Sequence, residues 1–375
     1  MGGTIVRILF VASPGIGHIF PTVSTAWALR AAGHDVLLAT GGHHETAAHA
    51  GLPVVDTAPG VDFPQVFRGF FAEHGQPGVG GRSDGSVTKL FAQVSGKFVE
   101  HTVELARNWH PDLVIATLLQ GAGPLAAAVS GVPWVLHGIG IVGSPELSQA
   151  LAADMTGEYQ RFGVEYEPPA AFLDVSPPSM RAADAADSAG WSMRYVPYNG
   201  GAVLEPWLLR PRSRARIAVT LGSVVPAMGG IASLRTFVAA AGEVAADFVL
   251  ALGGNDISEL GELPANVRPV DWIPLGSLLR ACDAVIHHGG AGTTFTALDA
   301  GLPQLVLPHF ADQPMNAEAV ARAGVGAIVK PEELDVDRLA GLLTDDGTIS
   351  AAKRVAAEIA SQPTPSELVP KITSL

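Results

Sequence analysis

Short apolar runs rich in β-branched residues alternate with Ala-rich amphipathic segments along the first half of the chain. The runs cover residues 8–12, 35–40, 53–57, 113–117 and 134–138, and their alternation predicts βαβ units in a parallel sheet. Between residues 22 and 32, Val23, Ala26, Trp27 and Leu29 share one face at helical spacing, with Gly33 as the stop. The second half repeats the pattern, with runs at 217–221, 248–252, 267–273, 284–288, 304–308 and 327–329. Between the halves, residues 197–216 hold three prolines, Gly200-Gly201 and an Arg-rich run, a linker composition. The expected fold class is therefore α/β, with two facing Rossmann-like domains built on parallel sheets. The expected boundaries are 1–200 for the first domain, 201–216 for the linker and 217–358 for the second domain. Residues 359–375 form a tail expected to pack back on the first domain. Open α/β sheets bind ligands at the carboxyl ends of their strands, so two facing sheets would enclose both substrates in one crevice. Segments 60–86 and 140–167 break the alternation and are expected as irregular walls over that crevice.

Composition narrows the partners. The 375 residues exceed one ordinary core, and 48% apolar with 16% charged residues describes a globular chain. A formal charge of −13 excludes nucleic acid or an anionic membrane surface as the main partner, since both require clustered basic residues. Any phosphate must then be held by backbone amides and hydroxyls. No apolar stretch is long and clean enough to span a bilayer, and the start has no basic, apolar and small-residue leader pattern. Cys282 is the only cysteine and lies in an apolar run, so it reads as a buried structural thiol. A cytoplasmic location is expected.

Three places carry chemistry. Residues 11–21 read V-A-S-P-G-I-G-H-I-F-P. Gly15 and Gly17 open like a dinucleotide fingerprint, but His18 follows and Pro21 stands near the place of the third glycine. This stretch reads as a loop that mounts a histidine, with Pro21 in the first turn of the helix that follows. Residues 284–301 read A-V-I-H-H-G-G-A-G-T-T-F-T-A-L-D-A-G. Here a strand ends at His287-His288, Gly289, Gly290 and Gly292 allow a tight turn, and Thr293-Thr294 open a helix. Helix-start amides, the helix dipole and two hydroxyls would converge on a diphosphate. Third come companions at neighbouring strand ends: Gly222-Ser223, Trp272-Ile273 as a stacking surface, and Asp312-Gln313 with Asn316 for sugar hydroxyls. Asp335-Val336-Asp337 reads as a helix start, and no zinc-like Cys/His spacing occurs, so no metal is expected.

In the order G-S, W-I-P, H-H-G-G-A-G-T-T and D-Q-P-x-N, together with the G-x-G-H-x-x-P loop and Ser176-Pro-Pro-Ser179, the chain resembles the GT-B nucleotide-sugar glycosyltransferases of family 1. It is most similar to the actinobacterial enzymes that glycosylate antibiotics. The resemblance spans nearly the whole chain and makes the first domain the acceptor side and the second the nucleotide-sugar side. It implies Trp272 and Ile273 at the base, and His288, Gly289, Gly290, Gly292, Thr293 and Thr294 at the diphosphate. Asp312 and Gln313 fall at the donor sugar, and Gly222 and Ser223 near the phosphates. His18 becomes the base for an acceptor hydroxyl, with Gln120 and His137 as candidate acceptor contacts. The implied reaction is inverting, metal-independent transfer of a (deoxy)sugar to a hydroxyl of a polyketide or antibiotic aglycone, with no tightly bound cofactor and a homodimer as the candidate assembly.

Two departures matter. UDP-sugar members usually carry a Glu two residues after the second Thr, where this chain has Thr296; a carboxylate suits two vicinal ribose hydroxyls, so dTDP-sugars are favoured. Many members also orient the histidine with an acid beyond the P-D-L strand, and here none stands at that place. Thr117, Gln120, a carboxylate from elsewhere, or weak orientation remain as alternatives. The competing functions are a UDP-sugar glycosyltransferase and a non-catalytic auxiliary or binding protein of the same fold. An NAD oxidoreductase would need the third glycine and an acid ending the second strand, which instead ends Ala39-Thr40-Gly41.

Overall fold

The computed structural model describes residues 4–74, 85–141, 143–181, 190–227 and 230–375. The first sheet holds β1 (Arg7–Val11), β2 (Asp35–Thr40), β3 (Val54–Asp56), β4 (Leu113–Thr117), β5 (Trp134–His137), β6 (Ala171–Asp174) and β7 (Trp191–Ser192). All its pairs are parallel, in the order β3-β2-β1-β4-β5-β6-β7. The second holds β8 (Ala215–Thr220), β9 (Ala246–Ala251), β10 (Val267–Val270), β11 (Ala284–His287), β12 (Gln304–Val306) and β13 (Gly326–Ile328), also parallel, in the order β10-β9-β8-β11-β12-β13. Helices cover both faces, so central strands such as β4 are buried at every position. That burial explains why they read as continuous apolar runs rather than alternating ones. In each sheet the winding reverses direction beside the first strand, between β1 and β4 and between β8 and β11. A ligand crevice opens at the carboxyl ends of such strands.

Each predicted run became a strand, and β6 and β7 were missed. β6 is four residues ending in Asp174, and β7 is two residues, too short for a period. β8 starts at Ala215, inside the segment read as linker. The first helix is Ile16–Ala31, which corrects the predicted start at residue 22. Gly15, at φ +106°, turns the chain, and its carbonyl accepts from the His18 and Ile19 amides. His18 therefore sits in the first helical turn and not in a loop, and Pro21 lies inside the helix. The proline is tolerated because the carbonyl it leaves unpaired is that of the exposed Gly17, near the helix start. Gly33, at φ +95°, ends the helix as expected. Trp27 is exposed, with its indole N–H donating to the Ala50 carbonyl.

The expected irregular walls are helical in the described residues: Phe63–His74, Ser86–Gly96, Pro145–Asp154 and Thr156–Phe162. Part of the first wall, 75–84, and residue 142 of the second lie outside the described residues. Glycine and polar residues in these segments hid a periodicity visible in the buried Phe63 and Phe70, or Ser148, Leu151 and Ala152. At the end of the chain, the helix Pro365–Ile372 places Leu368, Val369 and Ile372 in the core formed around Ile19 and Val23 of the first helix. Cys282 is buried among Leu278, Leu279 and Val285, and burial pushes its thiol up to about 12.

His137 is a core group, which corrects its reading as an acceptor contact. It is fully buried; its Nδ1–H donates to the Gly138 carbonyl at 2.7 Å, and its Nε2 accepts from the Thr25 hydroxyl at 2.9 Å. Both ring nitrogens are thus spent tying the first helix to the end of β5. Burial pushes its pKa down to about 4, only partly offset by the Gly138 carbonyl. An unfolded chain takes up a proton at this residue below about pH 6.5 while the native protein does not until about pH 4, so stability falls as pH drops through that window. By pH 5 the loss attributable to His137 is about 2 kcal/mol. Urea unfolding across pH 7 to 4.5 should show the slope of stability against pH flattening by up to one proton in His137→Gln, despite the lower stability of that variant at pH 7.

Candidate active site

β1 and β4 end side by side, and His18 stands above them because the chain leaves β1 through Ser13-Pro14 and turns at Gly15. Its ring lies 5.6 Å from that of Phe91, centroid to centroid, and its Nδ1 is buried and makes no hydrogen bond of ordinary geometry. Burial lowers its pKa to about 4, and the carbonyl of Leu118, which faces the ring, acts in the opposite direction. The imidazole is neutral at physiological pH and can accept a proton. Neither proposed side chain orients it. Thr117 Oγ1 accepts from the Ser13 amide at 3.3 Å, and Gln120 Oε1 accepts from the Ala122 amide at 2.9 Å. Gln120 is buried, and its Nε2 has no hydrogen-bond partner. Phe91 continues into Phe67 at 6.3 Å and Phe71 beyond it at 6.4 Å. These half-buried rings form an aromatic wall that sequence reasoning did not single out, although the density of Phe between residues 63 and 71 is visible in the sequence.

On the other sheet, β11 ends at His287, whose Nδ1 accepts from the Gly289 amide at 3.0 Å while its Nε2–H donates to Gln304 Oε1 at 2.8 Å. This fixes the turn that presents His288. A Cβ on Gly222 would lie 2.6 Å from His288 Cε1, and one on Gly290 would lie 2.4 Å from its Nε2. The imidazole is therefore sandwiched between two backbones, and both positions need glycine. Burial holds His288 at about pKa 3, with His287 and His309 pushing the same way. Its Nδ1 is buried without a partner. His309, from the loop after β12, was not anticipated; its Nδ1–H donates to the Leu307 carbonyl.

The helix Ala291–Asp299 starts beside this turn. Thr294 is buried, and both its amide and its hydroxyl donate to the Gly290 carbonyl, so of the two expected hydroxyls only that of Thr293 is uncommitted. The amides of Gly292 and Thr293 fall in the first turn, where a helix supplies no acceptor. The Asp312 carboxylate accepts from Asn316 Nδ2 at 2.7 Å and from the Ala291 amide; burial nevertheless raises its pKa. Gln313 Oε1 accepts from the His309 amide, and Asn316 Nδ2 also donates to the Gly289 carbonyl. The D-Q-P-x-N segment is thus woven into the glycine turn. Ser223 is exposed at the end of β8. Trp272 is 49% exposed, with its indole edge against Gly200, where a Cβ would lie 3.3 Å from Nε1. Ile273 is half-buried beside it. Thr296 is buried; it donates to the Gly292 carbonyl and accepts from Asn199 Nδ2, while Asn199 Oδ1 accepts from the Gly276 amide.

The two halves meet at this point. The helix Ile16–Ala31 touches the helix Ala291–Asp299, the Tyr195 and Phe295 rings lie 4.6 Å apart, and a Cβ on Gly140 would lie 2.8 Å from that of Ala291. A neutral imidazole at one sheet end and a helix start with uncommitted amides at the other thus lie on two helices in contact, an arrangement suited to moving a group from a phosphate to an acceptor.

Known proteins agree with this geometry. Residues 27–222 match the N-terminal domain, and residues 235–375 the C-terminal domain, of the erythromycin biosynthesis protein CIII-like family. The elloramycin glycosyltransferase ElmGT of Streptomyces olivaceus is 39% identical, over 98% of this chain and 96% of its own. The crystal structure of the glycosyltransferase SnogD from Streptomyces nogalater superposes with a TM-score of 0.88 at 44% identity, covering 99% of both chains. The glycosyltransferase SsfS6 from Streptomyces sp. SF2575, complexed with thymidine diphosphate, gives 0.83 at 32% identity over 99% of this chain and 100% of its own. The chain belongs to the erythromycin biosynthesis protein CIII-like family of actinobacterial antibiotic glycosyltransferases, and it is a GT-B glycosyltransferase.

Proposed function

We propose that this enzyme transfers a (deoxy)sugar from a dTDP-sugar to a hydroxyl of a polyketide-type aglycone, with inversion and without a metal. The observation that carries the reading is the meeting of the His18 helix with the glycine-flanked start of the helix Ala291–Asp299. In the reaction, the acceptor oxygen attacks the anomeric carbon as the bond from that carbon to the diphosphate oxygen breaks. The acceptor proton passes to His18, and the nucleoside diphosphate leaves from the opposite face, which inverts the configuration. His288, the Gly292 and Thr293 amides, the Thr293 hydroxyl and the nearby Ser223 receive the growing negative charge. The arriving anion favours protonation of His288 and raises its pKa from the depressed value. Trp272 offers its open face to the base, and the sugar hydroxyls fall to the Gln313 N–H groups and the remaining lone pairs of the Asp312 carboxylate.

The dTDP preference rests on Thr296, which is buried and engaged by Asn199 at the place where UDP-sugar members carry a carboxylate. The thymidine diphosphate held by SsfS6 supports the same donor class. The acceptor class is that named for relatives such as the tylactone mycaminosyltransferase of Streptomyces fradiae. The first domain is assigned to this acceptor, the second to the donor.

Three outcomes test the reading. His18→Ala should lower kcat by about 10²–10⁴-fold with thymidine diphosphate affinity unchanged; equal turnover would remove His18 from the chemistry, and product formation by neither protein would support an auxiliary role. For the parent enzyme, kcat/KM should hold steady from pH 7 to 5.5 and fall only toward pH 4, because the base is lost as pH drops through a depressed pKa. In a thermal-shift comparison, thymidine diphosphate should stabilise the parent more than uridine diphosphate does, and Gly290→Ala should lose that stabilisation while melting near the parent temperature. Stronger stabilisation by uridine diphosphate would move the donor assignment to UDP-sugars.

A further inference from the structure

Among the described residues no carboxylate acts on His18; the polar group that acts on its ring is the Leu118 carbonyl. That carbonyl belongs to the turn leaving β4, and the turn is held in an unusual shape, with Leu119 at φ +62°. A leucine adopts this left-handed backbone only when its surroundings enforce it. Ser13 supplies the enforcement from the neighbouring strand. Its hydroxyl donates to the Leu119 carbonyl at 2.8 Å, and its amide donates to Thr117 Oγ1 at 3.3 Å. Ser13 is fully buried, two residues beyond β1 and five before His18. One residue is therefore tied both to the strand that delivers the histidine and to the turn that faces it. Three further amides hold the turn: Leu118 donates to the His137 carbonyl, Gln120 to that of Thr117, and Gly121 to Ser95 Oγ.

We propose that Ser13, with Thr117, is a positioning residue for His18: it locks the 117–119 turn so that the Leu118 carbonyl is the acceptor offered to the buried, otherwise unpartnered Nδ1–H, their contact tightening into a hydrogen bond as the ring gains its charge, and Nε2 keeps the lone pair that takes the acceptor proton. The inference rests on the reading of His18 as the base. It gives this chain a backbone substitute for the acid that many relatives place behind the histidine. The proton leaves the acceptor hydroxyl for Nε2 while Nδ1–H stays on the ring, so the imidazolium that forms is held by the same carbonyl.

The deciding measurements, tautomer and titration, need no acceptor. In ¹⁵N-histidine-labelled protein, the His18 signals, assigned by their loss in His18→Ala, should show the Nδ1–H tautomer in the parent. Ser13→Ala and Thr117→Val should move them toward the Nε2–H or an averaged form, while Thr117→Ser, which keeps the hydroxyl, retains the parent pattern. Because the carbonyl favours the charged ring, the His18 titration should also shift to lower pH in Ser13→Ala. With dTDP-glucose and a hydroxyanthraquinone acceptor, Ser13→Ala should lose about tenfold in kcat with KM unchanged. An unaltered tautomer and titration in a folded Ser13→Ala would overturn the proposal. Turnover surviving His18→Ala would instead overturn the catalytic reading beneath it.

Discussion

The contact between the helix Ile16–Ala31 and the helix Ala291–Asp299 brings the ends of two parallel sheets together, and the functional geometry depends on that approach. Small residues make it close: a side chain at Gly140 would meet Ala291, and side chains at Gly222 or Gly290 would meet His288. The segment that crosses between the halves reinforces the contact from the side. Tyr195 packs on Phe295, Tyr198 on Phe20 and Trp27, Asn199 bonds Thr296 and the Gly276 amide, and Gly200 lies beneath Trp272. A few residues thus connect the helix bearing His18, the glycine-flanked start of the helix Ala291–Asp299, and the exposed indole of Trp272. Movement of one half relative to the other would be felt at all three.

Burial sets the electrostatics of this crevice. His18, His287 and His288 are all held neutral by desolvation, and Asp312 is pushed toward its protonated form by the same cause. A site of neutral groups suits a dianionic leaving group in a chain of charge −13. Amide dipoles and imidazoles stabilise the charge where it forms and require no standing positive charge to be buried beforehand.

The sequence exposed those parts of the fold whose physics is local. Strands buried on both faces read as apolar runs, and the glycines around His288 announced a turn before its geometry was known. The start of the first helix was hidden because Gly-Ile-Gly has no helical propensity; a positive φ at Gly15 and tertiary packing of Ile19 and Phe20 decide it. His137 looked like a site residue because it ends a strand beside the crevice, and only its two hydrogen bonds reveal a core role. Thr294 was likewise identified by position, while the bond to Gly290 that occupies its hydroxyl closes a turn whose shape no residue pattern encodes. The Leu118 carbonyl had no sequence signal at all, since every residue carries one.

That last point bears on how a dyad of histidine and acid can be simplified. A carboxylate behind an imidazole stabilises the cation strongly, but it must itself be desolvated, at a cost of several kcal/mol, when the site is buried. A carbonyl is neutral in every state of the reaction, so its burial carries less penalty, and its weaker pull leaves the histidine less basic in the resting protein. The loss is tolerable because an attacking alcohol grows acidic as its bond to the anomeric carbon forms, so the proton need be captured only late. What the carbonyl must keep is direction, and direction here is supplied by a strained leucine and two hydroxyl groups. In this protein, then, the chemical strength of the missing acid is given up while its geometric function is transferred to the backbone.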